Sequence, residues 1–306
     1  MRGVGYRSMK VCGKDIHVDG YIVRIARLDG DGYEFIEDPE AMLEGLRKCG
    51  RRIDIFTFIQ KVTDTEPRYR YSMEWDNFAA LPISTFDHWW KQQIRWEGRN
   101  RSRQAEKKGV SLREVPFDDA LVKGIWTVYN ECPVRQGRPF RHYGKDIATV
   151  YKEEATFLDR SVFIGAFLDG ELIGFVKLVA DESWTQMNLM NVVSMVRHRD
   201  KAPTNALIAQ AVRCCAERRV PYLLYNNFSY GKKKRDGAMR FKENNGFQRV
   251  NVPRYYVPLT VLGRAAHRLG LHRGIVYHIP EPVLVKLRQL RGAWYNRKFQ
   301  SVAEVS

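Results

Sequence analysis

Three stretches carry side chains able to do chemistry. The first is a cationic, proline-containing turn, Arg197 to Pro203, between an apolar strand ending at Met195 and a helix expected from Thr204 to Arg219. N–H groups at a helix start lack intrahelical partners and lie at the positive end of the dipole, so this unit suits an anionic ligand. Met195, Arg197, Arg199, Lys201, Ala202, Thr204 and Asn205 are the residues expected around it. The second stretch, Val134 to Lys145, is a loop dense in hydrogen-bonding side chains. Such loops are where sites tend to sit. Arg135, Gln136 and Tyr143 are candidates to hold an acceptor, and His142 to move its proton or to serve as a structural histidine. The third stretch begins at a short apolar strand, Tyr222 to Tyr225, and passes through a Lys/Gly-rich loop to Phe247. It contains Tyr225, Tyr230 and Lys242. Its loop reads equally as a phosphate- or nucleic-acid-facing segment with interleaved aromatics and as a basic loop with packing tyrosines.

These stretches need a scaffold, and periodicity supplies one. Residues 1–85 read as a strand-rich first section. Tyr21 to Ile25 and Tyr33 to Ile36 flank the turn Asp29-Gly-Asp-Gly32, Pro39 opens a short helix, Ile53 to Ile59 alternates as a strand, and Arg68 to Trp75 reads as another. Residues 84–108 read as one helix, apolar at Trp89, Trp90, Ile94 and Trp96, then cationic at Arg95, Arg99, Arg101, Arg103, Lys107 and Lys108. That second half reads as a solvated face or an anion-binding one. Gly109 stops the helix, and Val110 to Val115 resumes as a strand. Leu121, Val122, Ile125, Trp126 and Tyr129 recur at helical spacing and predict a core-facing helix. Val162 to Val179 is a β-hairpin turning at Asp169-Gly170, Trp184 to Ser194 adds the next strand, and Arg249 to Leu259 closes the domain. The tail, 261–306, is basic and amphipathic, with Val283, Leu284, Leu287 and Leu290 on one face and Trp294 and Tyr295 near its end. It reads as a helix docked on the domain or as a membrane-surface element.

Composition narrows the partners. A formal charge of +16 over 306 residues implies an anionic partner: nucleic acid, an acidic membrane face or a phosphorylated ligand. Five cysteines, with no C-x-x-C pair, argue against a disulfide framework and a zinc site and fit a reducing compartment. No apolar run approaches the length that spans a bilayer, and the N-terminus has no secretory signal, so the expectation is a cytoplasmic protein, with peripheral attachment to the inner membrane face open.

The order strand, helix pair, hairpin, strand, helix, strand, helix, strand resembles the GNAT acyltransferase superfamily. Arg99-Asn100 followed by Gln104 to Gly109, Lys201 to Pro203 before a helix, Arg240 to Phe247, and the closing Arg254 to Leu259 are similar to segments of FemAB-like proteins. The resemblance covers about residues 86–260. It implies an α/β (α+β) fold, a mixed, mostly antiparallel sheet flanked by helices, with an N-terminal strand-rich extension (1–85, or a degenerate half-domain) and a basic helical C-terminal tail. It also implies that Met195 and its neighbours offer backbone N–H groups to a carbonyl, that Lys242 matches a functional lysine, that Tyr225 and Tyr230 can protonate a leaving group, and that Arg254 lies near substrate. One departure stands out. Acetyl-CoA enzymes of the superfamily carry a glycine-rich loop after the central strand, whereas Arg197 to Asn205 contains no glycine. Three readings follow. One is an N-acyltransferase moving an acyl group from acyl-CoA, without a metal, to an amine on a sugar, lipid or amino-acid-like molecule. The second is a FemAB-like transferase using aminoacyl-tRNA. The third is a nucleic-acid- or membrane-binding module on the same scaffold.

Overall fold

The computed structural model describes residues 7–135, 137–229 and 237–273, and from the tail Val283, Lys286, Leu287, Gln289, Leu290, Arg291, Trp294 and Tyr295. In chain order the elements are β1 (Arg7–Val11), β2 (Lys14–Asp19), β3 (Ile25–Leu28), α1 (Pro39–Lys48), β4 (Ile55–Ile59) and β5 (Ser72–Pro82). There follow α2 (Phe86–His88), a π-helical turn (Trp89–Gln93), α3 (Trp96–Lys107), β6 (Ser111–Val115), α4 (Asp119–Asn130), and the two-residue strands β7 (Val134–Arg135) and β8 (Arg138–Pro139). Then come α5 (Ile147–Glu154), β9 (Ser161–Leu168), β10 (Glu171–Ala180), β11 (Met187–Ser194), α6 (Pro203–Glu217), β12 (Tyr222–Asn227), α7 (Gly237–Asn244), β13 (Gln248–Pro258) and α8 (Val261–Arg268).

The chain divides into two compact units. The first comprises the described residues up to Phe78, Ser229, and those from Arg249 to Arg273. Its strands run in the order β1-β2-β3-β4-β13-β5. β13 pairs antiparallel with β4, setting Tyr255 opposite Phe58. Tyr255 is buried against Phe58, Tyr69 and Tyr71, and its hydroxyl accepts the Arg68 N–H at 2.9 Å. Helix α1 starts where expected. Asp38 accepts the Ala41 N–H, Pro39 fills the first turn, and Met42, Leu43 and Leu46 face the core.

The second unit holds the described residues from Ala79 to Phe228, from Gly237 to Gln248, and those of the tail from Val283 to Tyr295. The last residues of β5 enter it, and its strands follow the order β5-β12-β11-β10-β9-β6. β9 and β10 form the expected hairpin, with Asp169 and Gly170 both at positive φ. From Leu172 onward β10 is buried throughout, as a central strand covered on both faces must be. α4 buries Leu121, Val122, Ile125, Val128 and Tyr129, and α6 buries Leu207, Ile208, Ala211, Val212 and both adjacent cysteines.

Several local expectations shift. Residues 84–108 are not one helix. Trp89–Gln93 is a π turn, Ile94 is extended, and α3 starts afresh at Trp96, whose side chain is 71% exposed rather than part of the apolar face. The Trp89 indole N–H donates to the Asn245 carbonyl at 2.9 Å, a partner invisible to local periodicity. The strand near the first turn is Ile25–Leu28, and Tyr33 to Ile36 is not a strand because the Tyr33 and Glu34 N–H groups fold back on the Gly30 carbonyl. The strand expected at Arg68 starts at Ser72 and runs to Pro82, and the strand placed from Trp184 begins at Met187. The basic turn is a 3-10 helix over Val196–Lys201. The described tail residues are helical, with Val283, Leu287, Leu290 and Trp294 exposed. Among the described residues no helix is long and apolar enough to cross a membrane.

Candidate active site

The second unit's sheet opens at one place. β11 pairs with β10 through Ser194, and the Met195 N–H still donates to the Ile173 carbonyl at 2.8 Å. On its other side, among the described residues, β11 pairs in parallel with β12 at Met187↔Leu223 and Asn188↔Leu224. Beyond these the two strands part. Strand alternation makes the Met195 N–H face β10, so the peptide groups of Val192 and Ser194 face the parting. Backbone N–H groups aimed into such a gap can polarise a carbonyl. The Met195 amide is committed to Ile173, so it is not one of the groups that face the gap.

The turn after β11 is held by a carboxylate that sequence reading missed. Glu131, just past α4, accepts the Val196 N–H at 3.0 Å and the Arg197 N–H at 2.9 Å. Within the turn the His198 and Ala202 N–H groups donate to the Met195 and Arg199 carbonyls. Ala202 sits in the left-handed region (φ 52°, ψ 41°), a conformation glycine adopts more cheaply, and leads into Pro203 and α6. Thr204 Oγ1 lies 2.7 Å from Ser194 Oγ, tying the start of α6 to the end of β11. The Asn205 carbonyl accepts from Ser102 Oγ of α3. Of the turn's cations, Arg197 pairs with Glu171 and Lys201 with Asp200. Arg199 has no carboxylate partner among the described residues.

At the far side of the parting, Lys242 of α7 is buried. Its Nζ donates to the Asn227 carbonyl at the end of β12 and lies 4.9 Å from the centroid of the Tyr225 ring. Phe241 and Phe247 pack edge-on and tilted against that ring. An ammonium held over an aromatic face at a strand end is a fixed positive charge in a place of low dielectric.

The α4–α5 loop sorts its candidates. Arg135 binds within the protein: its guanidinium donates to the carbonyls of Ser194 (2.6 Å) and Val128 (2.9 Å), approaches Glu131 at 3.5 Å, and stacks on Phe140. His142 is buried, stacked on Tyr129 at 4.3 Å, and its Nε2 accepts from Arg141 Nε at 2.8 Å. Burial, and then the Arg141 and Lys145 charges, push its pKa down to about 4. The imidazole is therefore neutral at ordinary pH, and the lone pair that would take a proton is occupied. Tyr143 is exposed. Gln136 and Tyr230 lie outside the described residues. Arg254 belongs to the first unit, where it sits between Asp31 and Asp76, each at 2.9 Å.

A second buried polar group went unanticipated. Glu154 accepts the Tyr129 hydroxyl at 2.7 Å and Asn191 Nδ2 at 2.9 and 3.1 Å. Lys177, fully buried in β10, donates to the Glu154 and Thr156 carbonyls, both at 2.7 Å. Burial raises the Glu154 pKa and lowers that of Lys177 to about 8. The network fixes Asn191, opposite Lys177 in the β10–β11 ladder, in the stretch of β11 that has parted from β12. Lys177 itself was readable, as a cation inside the apolar run Leu172 to Val179; Glu131 had no such signal. Among the described residues no group of His, Cys, Asp or Glu is arranged to hold a metal ion.

No protein-family model matches the sequence, and no curated protein matches it. Solved structures do. L-PGS from Bacillus licheniformis superposes with a TM-score of 0.58 at 14% identity, covering 86% of this chain and 88% of that one. FemX gives 0.58 at 11%, covering 87% and 90%. The C-terminal domain (DUF2156) of a putative lysylphosphatidylglycerol synthetase from Agrobacterium fabrum gives 0.55 at 11%, covering 87% and 88%. At these identities the likeness establishes the fold alone, a mixed and mostly antiparallel sheet flanked by helices, shared with FemX and L-PGS.

Proposed function

We propose that the chain is an aminoacyltransferase that takes its aminoacyl group from charged tRNA and passes it to an amine acceptor. The observation that carries the choice of donor is the Glu131 carboxylate on the Val196 and Arg197 amides. A CoA pyrophosphate cradled by bare backbone would need such amides, and here a carboxylate holds them. Side-chain contacts from Arg197, Arg199 and Lys201 are the basis of the second reading, an acyl-CoA donor, but two of those three are already paired. Similarity to FemX and to lysylphosphatidylglycerol synthetase, whose name describes an aminoacyl lipid, supports the first reading at the level of fold.

In this reading the acceptor nitrogen attacks the ester carbonyl carbon within the parting of β11 and β12. The Val192 and Ser194 amides and the Lys242 charge stabilise the oxyanion, and the bond to the ribose oxygen breaks. The proton lost by the amine ends on that oxygen, with the Tyr225 hydroxyl as relay. His142 positions its loop and relays no proton. A charged-tRNA donor places the reaction in the cytoplasm. The exposed Val283, Leu287, Leu290 and Trp294, beside Lys286 and Arg291, favour contact of the tail with an acidic membrane face.

The test supplies aminoacyl-tRNA labelled in the amino acid, together with amine acceptors, to the wild type and to Lys242→Met. Label should leave tRNA at least about a hundredfold faster with the wild type, the usual size of a lost oxyanion contact. An acyl-CoA that raises the melting temperature, with no release from tRNA, would overturn the reading in favour of the second.

A further inference from the structure

Helix α3 turns Gly98, Ser102 and Ala105 inward. Trp96, Asn100, Arg103 and Lys107 recur at i, i+4, i+7 and i+11 and so share the opposite face. Trp96 is 71% exposed there. The Arg103 guanidinium lies over Trp90 (5.7 Å), Trp90 stacks on Phe86 at an interplanar angle of 19°, and Arg213 of α6 lies 3.9 Å over Phe86. Two exposed arginines therefore bracket two stacked rings. Arg103, Lys107 and Arg213 have no carboxylate partner among the described residues, and the helix's own Glu97 and Glu106 bond to none of them.

The helix also touches both sides of the candidate site. Near its start, Arg95 pairs with Glu243 of α7 at 3.4 Å, and Gly98 packs against the Asn244 carbonyl so closely that a Cβ would lie 2.4 Å from that oxygen. Near its end, Gln104 donates to the Asp200 carbonyl at 2.6 Å and Lys108 pairs with the Asp200 carboxylate at 3.0 Å. It thus runs from the helix that bears Lys242 to the turn that follows β11.

We propose that this face is the seat of the tRNA, an inference that rests on the aminoacyl-tRNA reading above. Arg103, Lys107 and Arg213 neutralise phosphates, and Trp96 stacks on an unpaired base of the strand that leads into the site. Arginines pre-set by aromatic stacking are suited to phosphate, and an isolated exposed tryptophan beside them is suited to a base. A membrane-binding face would offer several large apolar side chains, and Trp96 is the one that α3 exposes.

The test measures binding of uncharged tRNA by the full chain across a salt series, for the wild type, Arg103→Ala/Arg213→Ala, Trp96→Ala and, as a control on another surface, Arg47→Ala. Each lost phosphate contact should lower the salt slope by about 0.9 and weaken binding about eightfold at roughly 0.1 M salt. Trp96→Ala should weaken binding about fivefold or more with the slope unchanged. Melting temperatures should match the wild type, since all three side chains are exposed. Wild-type binding that the double variant and Trp96→Ala leave unchanged overturns the surface and spares the donor reading. A wild type that binds no tRNA overturns both, and variants that lose only binding to anionic vesicles assign the face to membrane instead.

Discussion

Removing the Glu131 carboxylate tests the reasoning about the donor most directly. In Glu131→Ala two charge-assisted bonds vanish, at 3.0 Å to Val196 and 2.9 Å to Arg197, and Arg135 loses its neighbouring charge. Hydrogen bonds to charged groups contribute about 1.5–3 kcal/mol each. Val196 is 43% exposed, so water can replace part of what is lost, and about 2–3 kcal/mol in total is the reasonable figure. For a unit of this size that corresponds to a fall in melting temperature of roughly 4–12 °C. Glu131→Gln keeps one acceptor and should lose about half as much. The vacated amides then lie at the start of a turn leading into α6, an environment that favours an anion. Inorganic phosphate or CoA at millimolar concentration should restore part of the melting temperature of Glu131→Ala and leave the wild type unmoved. The assay is thermal unfolding followed by circular dichroism, with and without each anion. A variant that melts within about 1 °C of the wild type would show that the carboxylate holds nothing. CoA raising the wild-type melting temperature would favour the acyl-CoA reading instead.

Two further outcomes follow from the buried polar groups. His142 has an ordinary unfolded pKa near 6.5 and a folded value of about 4, so the unfolded chain binds the extra proton first. Its contribution is complete above pH 6.5 and is lost as pH falls toward 4, by at most about 3 kcal/mol; denaturant titrations of wild type and His142→Gln should differ in slope within that window, and parallel curves would contradict the burial argument. Lys177→Met removes the donor to two carbonyls and the cation nearest the Glu154 carboxylate, and should cost about 3 kcal/mol. Adding Glu154→Gln should recover part of that, and a neutral single variant would refute the coupling.

How far the sequence reaches depends on the range of the interaction that fixes each feature. The β9–β10 hairpin was legible because Asp169-Gly170 and two apolar runs lie within one short segment. Most of the core face of α4 was legible because periodicity is local, but Trp126, expected in it, is 37% exposed, and Val128 is buried instead. The π turn at Trp89–Gln93 was not, since the partner of the Trp89 indole is Asn245, and the pairing of β13 with β4 joins residues from opposite ends of the chain. The site divides the same way. Lys242 stood out through a local motif, and the missing glycines of the Arg197–Asn205 turn were visible as a departure. What replaces those glycines was not visible, because Glu131 meets the turn only after α4 has packed on the sheet. His142 looked like a proton carrier for the same reason: its residue type is local, whereas the Arg141 bond, the Tyr129 stack and the resulting low pKa belong to the folded loop. The turn thus carries both lessons. Its cationic sequence advertised an anion site, and its folded form already contains an anion, the carboxylate of Glu131. In the proposed reading the donor is held elsewhere, and Arg103 of α3 and Arg213 of α6, which have no carboxylate partner among the described residues, are suited to hold it.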